Sequence, residues 1–185
     1  MREYVLGRPV MVIGHPHSGK TFVAKMLGEM LGVTYGDSSH VMFPVVEAFL
    51  RQIHGLEYDS WEEMHEDRIY HRNKWRDAIH QYALRHGLAA VGRLIFEANG
   101  NDIYCGCREV SEFQAIRMEY NPIVIWVEGP KLPATAMVTP SQVTIDKSDA
   151  DFVVRNWQDS DDAGQVYADS KSVRLQLLLG LSKQL

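Results

Sequence analysis

Short unbroken apolar runs alternate along this chain with longer stretches in which apolar residues recur every three or four positions. The runs are Val10 to Ile13, Val33-Thr34-Tyr35, Ile103-Tyr104-Cys105, Ile123 to Val127 and Phe152-Val153-Val154. An unbroken run is what a parallel strand needs when both of its faces are buried. After the first run, Phe22, Val23, Met26, Leu27 and Met30 fall at helical spacing. Pro44 suits the first turn of a helix reaching about Ile53. Ser60 and Glu63 form a capping box for a long helix to about Arg85, with Gly87 as its stop. Another helix covers Leu88 to Ala98. Ser111 and Gln114 cap the next, which must end before Asn121-Pro122. The tail from about Ala163 reads as a closing helix. This alternation predicts a three-layer α/β/α fold around a mostly parallel five-stranded sheet. Ligands in such sheets bind at the carboxyl ends of the strands. That rule gathers residues 14–21, Asp37-Ser38-Ser39, Gly106-Cys107-Arg108 and Glu128 at one edge.

The segment at that edge after the first strand is Gly14-His15-Pro16-His17-Ser18-Gly19-Lys20-Thr21. It fits the P-loop pattern G-x-x-x-x-G-K-[ST], and it lies between a strand and a helix as a P-loop must. Backbone N–H groups of such a loop converge on phosphate oxygens, helped by the positive end of the following helix. Gly14, His17, Ser18, Gly19, Lys20, Thr21 and Phe22 are therefore candidates for the nucleotide site. Lys20 would reach the β- and γ-phosphates, and Thr21 would hold Mg²⁺.

At 185 residues, 45% hydrophobic and 23% charged, the chain suits one soluble domain. The net charge of −5 disfavours a nucleic-acid partner, so phosphate binding must be local. No apolar run approaches the roughly 18 residues of a membrane span. Met1-Arg2-Glu3-Tyr4 leads almost directly into the first strand, so a cytoplasmic protein without a signal peptide is expected. Cys105 and Cys107 read as small residues packed at a strand end in a reducing compartment.

On a single helix from residue 61 to 85, Trp61, Met64, Arg68, Arg72, Trp75, Ile79 and Tyr82 share a sector of about 80°. Arg68 and Arg72 thus fall inside its apolar face. An arginine facing inward needs an anion. A carboxylate such as Glu47, stems lying along the core with their heads in water, and a substrate phosphate gripped by the guanidinium fork are the alternatives. Arg108 lies just after a strand end and can meet a second anion near the P-loop. Trp75 and Tyr70 can add a stacking surface for a base or belong to the core.

Together these residues resemble the nucleoside monophosphate kinases, and most closely the phage-type deoxynucleoside monophosphate kinases. The resemblance rests on the P-loop, Asp37-Ser38-Ser39, Asp67-Arg68…His71-Arg72…Trp75, Gly106-Cys107-Arg108…Glu112, Ile125-Trp126-Val127, and Ala150 to Asn156. It implies a single kinase domain over residues 1–185 that moves the ATP γ-phosphoryl group to a deoxynucleoside monophosphate. A helical acceptor region would span about residues 37–100 and a lid about residues 128–146. ATP and Mg²⁺ are the implied cofactors. Lys20, Arg72 and Arg108 are the implied catalytic residues. Asp37, Ser38, Arg68, Arg72, Trp75 and Arg108 would face the acceptor, with Asn156 near the adenine. The implied partners are small nucleotides, with neither nucleic acid nor membrane, and a homodimer is left open.

The chain departs from that pattern twice. Lys131 is the only basic residue between Glu128 and Asp146, although lids of this kind usually carry arginines. The strand Ile103-Tyr104-Cys105 lacks the acid that many P-loop proteins place near Mg²⁺, so Glu128 or Asp37 would serve. A kinase for another small acceptor and a non-catalytic ATP-binding module are the competing readings.

Overall fold

The computed structural model describes residues 3–130, 143–158 and 166–185. Five strands form one wholly parallel sheet: β1 (Val10–Ile13), β2 (Tyr35–Asp37), β3 (Ile103–Cys105), β4 (Ile123–Glu128) and β5 (Phe152–Arg155), in the order β2-β3-β1-β4-β5. The central strand β1 registers Val12 against Cys105 and Ile125. Side chains alternate across it. Val10 and Val12 join Val23, Leu27, Val173 and Leu177 on one face, from α1 (Lys20–Leu31) and α8 (Ser170–Leu181). Met11 and Ile13 join the opposite cluster. That cluster draws on α3 (Phe43–His54), α4 (Trp61–Asp67), α5 (Arg72–His86), α6 (Ala90–Arg93) and α7 (Val110–Tyr120). The short α2 (Ser38–Val41) follows β2 directly. Each fully buried Val, Leu or Ile contributes roughly 1.5–3 kcal/mol, so a sheet covered on both faces carries most of the fold's driving force.

Several local expectations are corrected. The second strand starts at Tyr35, not Val33, because the Val33 N–H closes α1 onto the Gly28 carbonyl at 3.0 Å. It therefore runs on to Asp37, opposite Cys105, and delivers that carboxylate to the sheet's edge. The single helix from residue 61 to 85 is broken into α4 and α5 by turns at Asp67–Tyr70 and Arg68–His71. Asp67 holds that corner: its Oδ2 accepts from Tyr58 Oη at 2.7 Å and lies 3.2 Å from His71 Nε2. Ser60 does cap α4, but Glu63 accepts from Asp59 N–H rather than from the cap residue. The stretch from Leu88 becomes α6 followed by a π-helical turn, Leu94–Ala98. At α7 the cap residue is Glu109, and Val110 N–H is met by Thr144 Oγ1 at 2.8 Å instead of by a Ser111–Gln114 box.

The closing helix begins at Ser170, capped by Asp169, and residues 166–169 before it are not helical. Most of the expected lid, including Lys131, lies outside the described residues. No helix among the described residues is long and apolar enough to cross a membrane.

Candidate functional site

β1 ends at Ile13, and the chain turns through the glycine loop into α1. Three left-handed or otherwise positive φ angles make that turn: Gly14 at 144°, His17 at 63° and Gly19 at 82°. Gly14 and Gly19 also have no room for a side chain. A Cβ on Gly14 would stand 2.5 Å from the Val127 carbonyl oxygen, and one on Gly19 would stand 2.0 Å from Asn156 Nδ2. The loop is thus packed against β4 and the residue after β5, with its backbone left to face the cavity. Ser18 Oγ is buried and has no hydrogen-bond partner among the described residues. Lys20 is nearly buried and donates through Nζ to the His15 carbonyl at 2.6 Å. Burial pushes its ammonium down to about 8, and Arg108 acts in the same direction. A backbone cradle, a buried cation and an unsatisfied buried hydroxyl fit a polyphosphate chain.

The Thr21 hydroxyl at the head of α1 donates to Asp37 Oδ2 at 3.4 Å and lies 4.0 Å from Cys105 Sγ. Asp37 also caps α2 through Ser39 N–H at 2.9 Å, which fixes its carboxylate beside Thr21. Cys105 occupies the strand end where an acid was missed. Burial pushes its thiol up to about 12, and Asp37 adds to that, so the thiol is neutral near pH 7. Glu128 is engaged elsewhere, in ion pairs with Lys147 and, at 3.5 Å, with Arg155. Thr21 and Asp37 thus stand together at this strand end as two oxygen donors that could hold a divalent cation.

A cavity of about 910 Å³ opens in front of the loop. Its lining carries four strong cations, Lys20, Arg68, Arg72 and Arg108, against one carboxylate, Asp37. That excess belongs to a chain of net charge −5. Among the described residues no carboxylate pairs with Arg68, Arg72 or Arg108. Glu47, the alternative partner, pairs with Arg51 instead. Arg68 donates to Ser39 Oγ at 2.7 Å and lies 5.0 Å over the Trp75 ring. Burial and the neighbouring Arg108 push its guanidinium down to about 10, and burial and Arg72 push Arg108 the same way. Mutually repelling, half-buried guanidinium groups are stable where an anion completes them.

His40, Val41, Trp61, His65 and Ile69 line the same cavity, and the Trp61 ring lies 6.2 Å from Trp75, the ring under Arg68. The Trp61 ring meets His40 and Phe43 nearly edge to face, at 5.1 and 5.3 Å, and tilts against His65 at 4.9 Å.

Of the residues singled out from sequence, His17, Gly19, Lys20, Thr21, Asp37, Ser38, Arg68, Arg72 and Arg108 line this one cavity. Gly14 and Ser18 are buried within the loop. Trp75 lies beneath Arg68, almost fully buried, rather than in the wall. Phe22 is half exposed and outside the lining. Asn156 is buried behind the loop, donating from Nδ2 to the Ser18 carbonyl at 3.1 Å. His40, Trp61, His65, Cys105, Asn99 and Asn101 line the cavity without having been singled out for it. Trp61 carried the only available signal, a tryptophan on the same helical face as Arg68.

No protein-family model matches the chain, and no curated protein matches it in sequence. Its backbone is similar to that of a gluconokinase from Sinorhizobium meliloti 1021, with a TM-score of 0.54 and 15% identity. That match covers 99% of this chain and 95% of the gluconokinase. A sugar kinase from Janibacter and a shikimate kinase from Aquifex aeolicus superpose less well, with TM-scores of 0.49 and 0.44 at 14% and 12% identity. They cover 95% of this chain each, and 94% and 96% of their own. The fold is the three-layer α/β/α fold of the P-loop NTPases.

Proposed function

We propose that this protein is an ATP-dependent kinase whose acceptor is a nucleoside monophosphate. One observation carries the choice of acceptor: the cavity that holds the P-loop residues and the three arginines also has Trp61 and His65 in its lining. A nucleoside monophosphate offers both a partner, an anionic phosphate and a flat base. A sugar acid would satisfy the arginines and leave the aromatic rings without a partner.

In this reading residues 14–21 hold the donor's phosphates, with Lys20 neutralising charge on the group in transit. Arg68, Arg72 and Arg108 grip the acceptor phosphate, and Trp61 with His65 supports its base. The Thr21 hydroxyl and the Asp37 carboxylate would hold Mg²⁺, which supplies charge neutralisation on the phosphate oxygens. The acceptor oxygen is already anionic, so no general base is needed. The chain's contribution is alignment and electrostatic compensation.

A thermal-shift panel tests the acceptor. A ligand that binds only the folded state stabilises it by about 2.7 kcal/mol at a hundred times its Kd. At least one nucleoside monophosphate should raise the melting temperature without ATP, through the arginines. Stabilisation by ATP alone would favour a nucleotide-binding module without transfer. Stabilisation by gluconate or shikimate, and by no monophosphate, would favour a different acceptor.

A further inference from the structure

Two carbonyls of the glycine loop are held from outside by the chain that follows β5. Tyr167 Oη donates to the His17 carbonyl at 2.6 Å, and Asn156 Nδ2 donates to the Ser18 carbonyl. His17 needs such support. It adopts φ 63°, a left-handed conformation that a residue with a Cβ disfavours. Carbonyl and N–H point in opposite directions across a trans peptide. Anchoring these two carbonyls therefore fixes the direction of the Ser18 and Gly19 N–H groups, the first of which closes a turn onto the His15 carbonyl at 3.3 Å.

Tyr167 is well placed for this. One residue earlier, the Val166 carbonyl accepts from Gln158 N–H at 2.7 Å. Two residues later, Asp169 caps α8 by accepting from Ser172 N–H at 2.7 Å. Between them Ala168 is buried. The backbone on both sides of the tyrosine is thus fixed, while the residue remains 49% exposed. A half-exposed tyrosine adds little to the core, so the hydroxyl contact with the loop is its distinctive interaction.

We infer that Tyr167 is a positioning residue for the phosphate-binding loop: its hydroxyl holds the His17–Ser18 peptide in the turn that Ser18 N–H closes onto His15, so that the amides from Gly19 into the first turn of α1 stay presented to a polyphosphate. The inference rests on residues 14–21 being a phosphate-binding loop and is independent of the acceptor.

Tyr167→Phe removes the hydroxyl and keeps the ring, which separates positioning from stacking on a base. The affinities of ATP and of inorganic tripolyphosphate, each with Mg²⁺, are measured by calorimetry on the full chain. Both should weaken about fivefold, the worth of one hydrogen bond. Amide exchange at Ser18 and Gly19 should quicken. The melting temperature should fall by no more than about 4 °C. Unchanged affinity for both probes overturns the inference. So does a loss confined to ATP, which would assign Tyr167 to the base, and so does a drop in melting temperature with unchanged affinity. Lys20→Ala serves as the control for the underlying reading. If it binds tripolyphosphate normally, the loop is not a phosphate site and the inference falls with it.

Discussion

Raising the pH should move the affinity for ATP and the stability of the free protein in opposite directions, and both changes should trace to Lys20. Its ammonium is nearly buried, and that burial lowers its pKa from 10.5 to about 8. Below about pH 8 the folded protein carries the charged lysine that a polyphosphate needs. Above it, affinity should fall by about tenfold per pH unit, until the bound phosphates hold the proton in place. Stability has the other sign. Between pH 8 and 10.5 the unfolded chain binds the Lys20 proton and the folded chain has lost it, so unfolding becomes harder as pH rises. The shift from 10.5 to about 8 is 2.5 units, or about 3 kcal/mol at 1.36 kcal/mol per unit. The assay is ATP affinity and urea-unfolding free energy from pH 6.5 to 10.5, for the wild type and Lys20→Met. Taking the difference removes other groups that titrate in this range. The wild type alone should lose affinity and gain stability, and Lys20→Met should be more stable than wild type at pH 7. Wild-type ATP affinity that stays flat through pH 10, with parallel stability curves, would refute the buried-lysine account.

Arg72→Lys keeps the charge but loses the two-pronged fork, so the acceptor's KM should rise by about tenfold or more while the KM for ATP holds. A destabilised variant with normal constants would make Arg72 a structural residue. Trp61→Leu should also raise the acceptor's KM selectively, since stacking on one base is worth about 1–3 kcal/mol; an unchanged KM for every monophosphate would remove the aromatic wall from the site. Glu112 is partly buried, accepts a short hydrogen bond from Tyr104 Oη, and desolvation raises its carboxyl to about 7. The folded state therefore holds a proton that the unfolded state releases, and stability should fall by about 3 kcal/mol as pH rises from 4.5 to 7. Glu112→Gln should flatten that slope in an unfolding series, and an unaltered slope would place the titration elsewhere.

The strands and the glycine loop were legible because each is local. An unbroken apolar run and a glycine-lysine turn carry their own physics, and all five strands overlap the predicted runs. Helix 61–85 shows where local patterning stops. Its residues keep helical spacing across the break, but Asp67, Tyr58 and His71 lock a corner that only the folded chain brings together. The cavity role of Arg68 and Arg72 survived that error, because both sides of the corner face the same space. Asp37 could be placed at the sheet edge by topology, yet its closeness to Thr21 depended on β2 running two residues further than predicted. Tyr167 was hidden inside a stretch expected to be helical. Lys147, just past the expected lid, was likewise unread, and its pairing with Glu128 removes that carboxylate from the metal question.

The central claim is phosphoryl transfer to a nucleoside monophosphate. Formation of ADP should be followed with ATP, Mg²⁺ and each ribo- and deoxynucleoside monophosphate in turn, alongside gluconate, shikimate and an acceptor-free control. The account predicts ADP formed in step with a nucleoside diphosphate for at least one monophosphate, and loss of that activity in Lys20→Ala. Turnover with a sugar acid and with no monophosphate, or turnover that Lys20→Ala leaves intact, would contradict it.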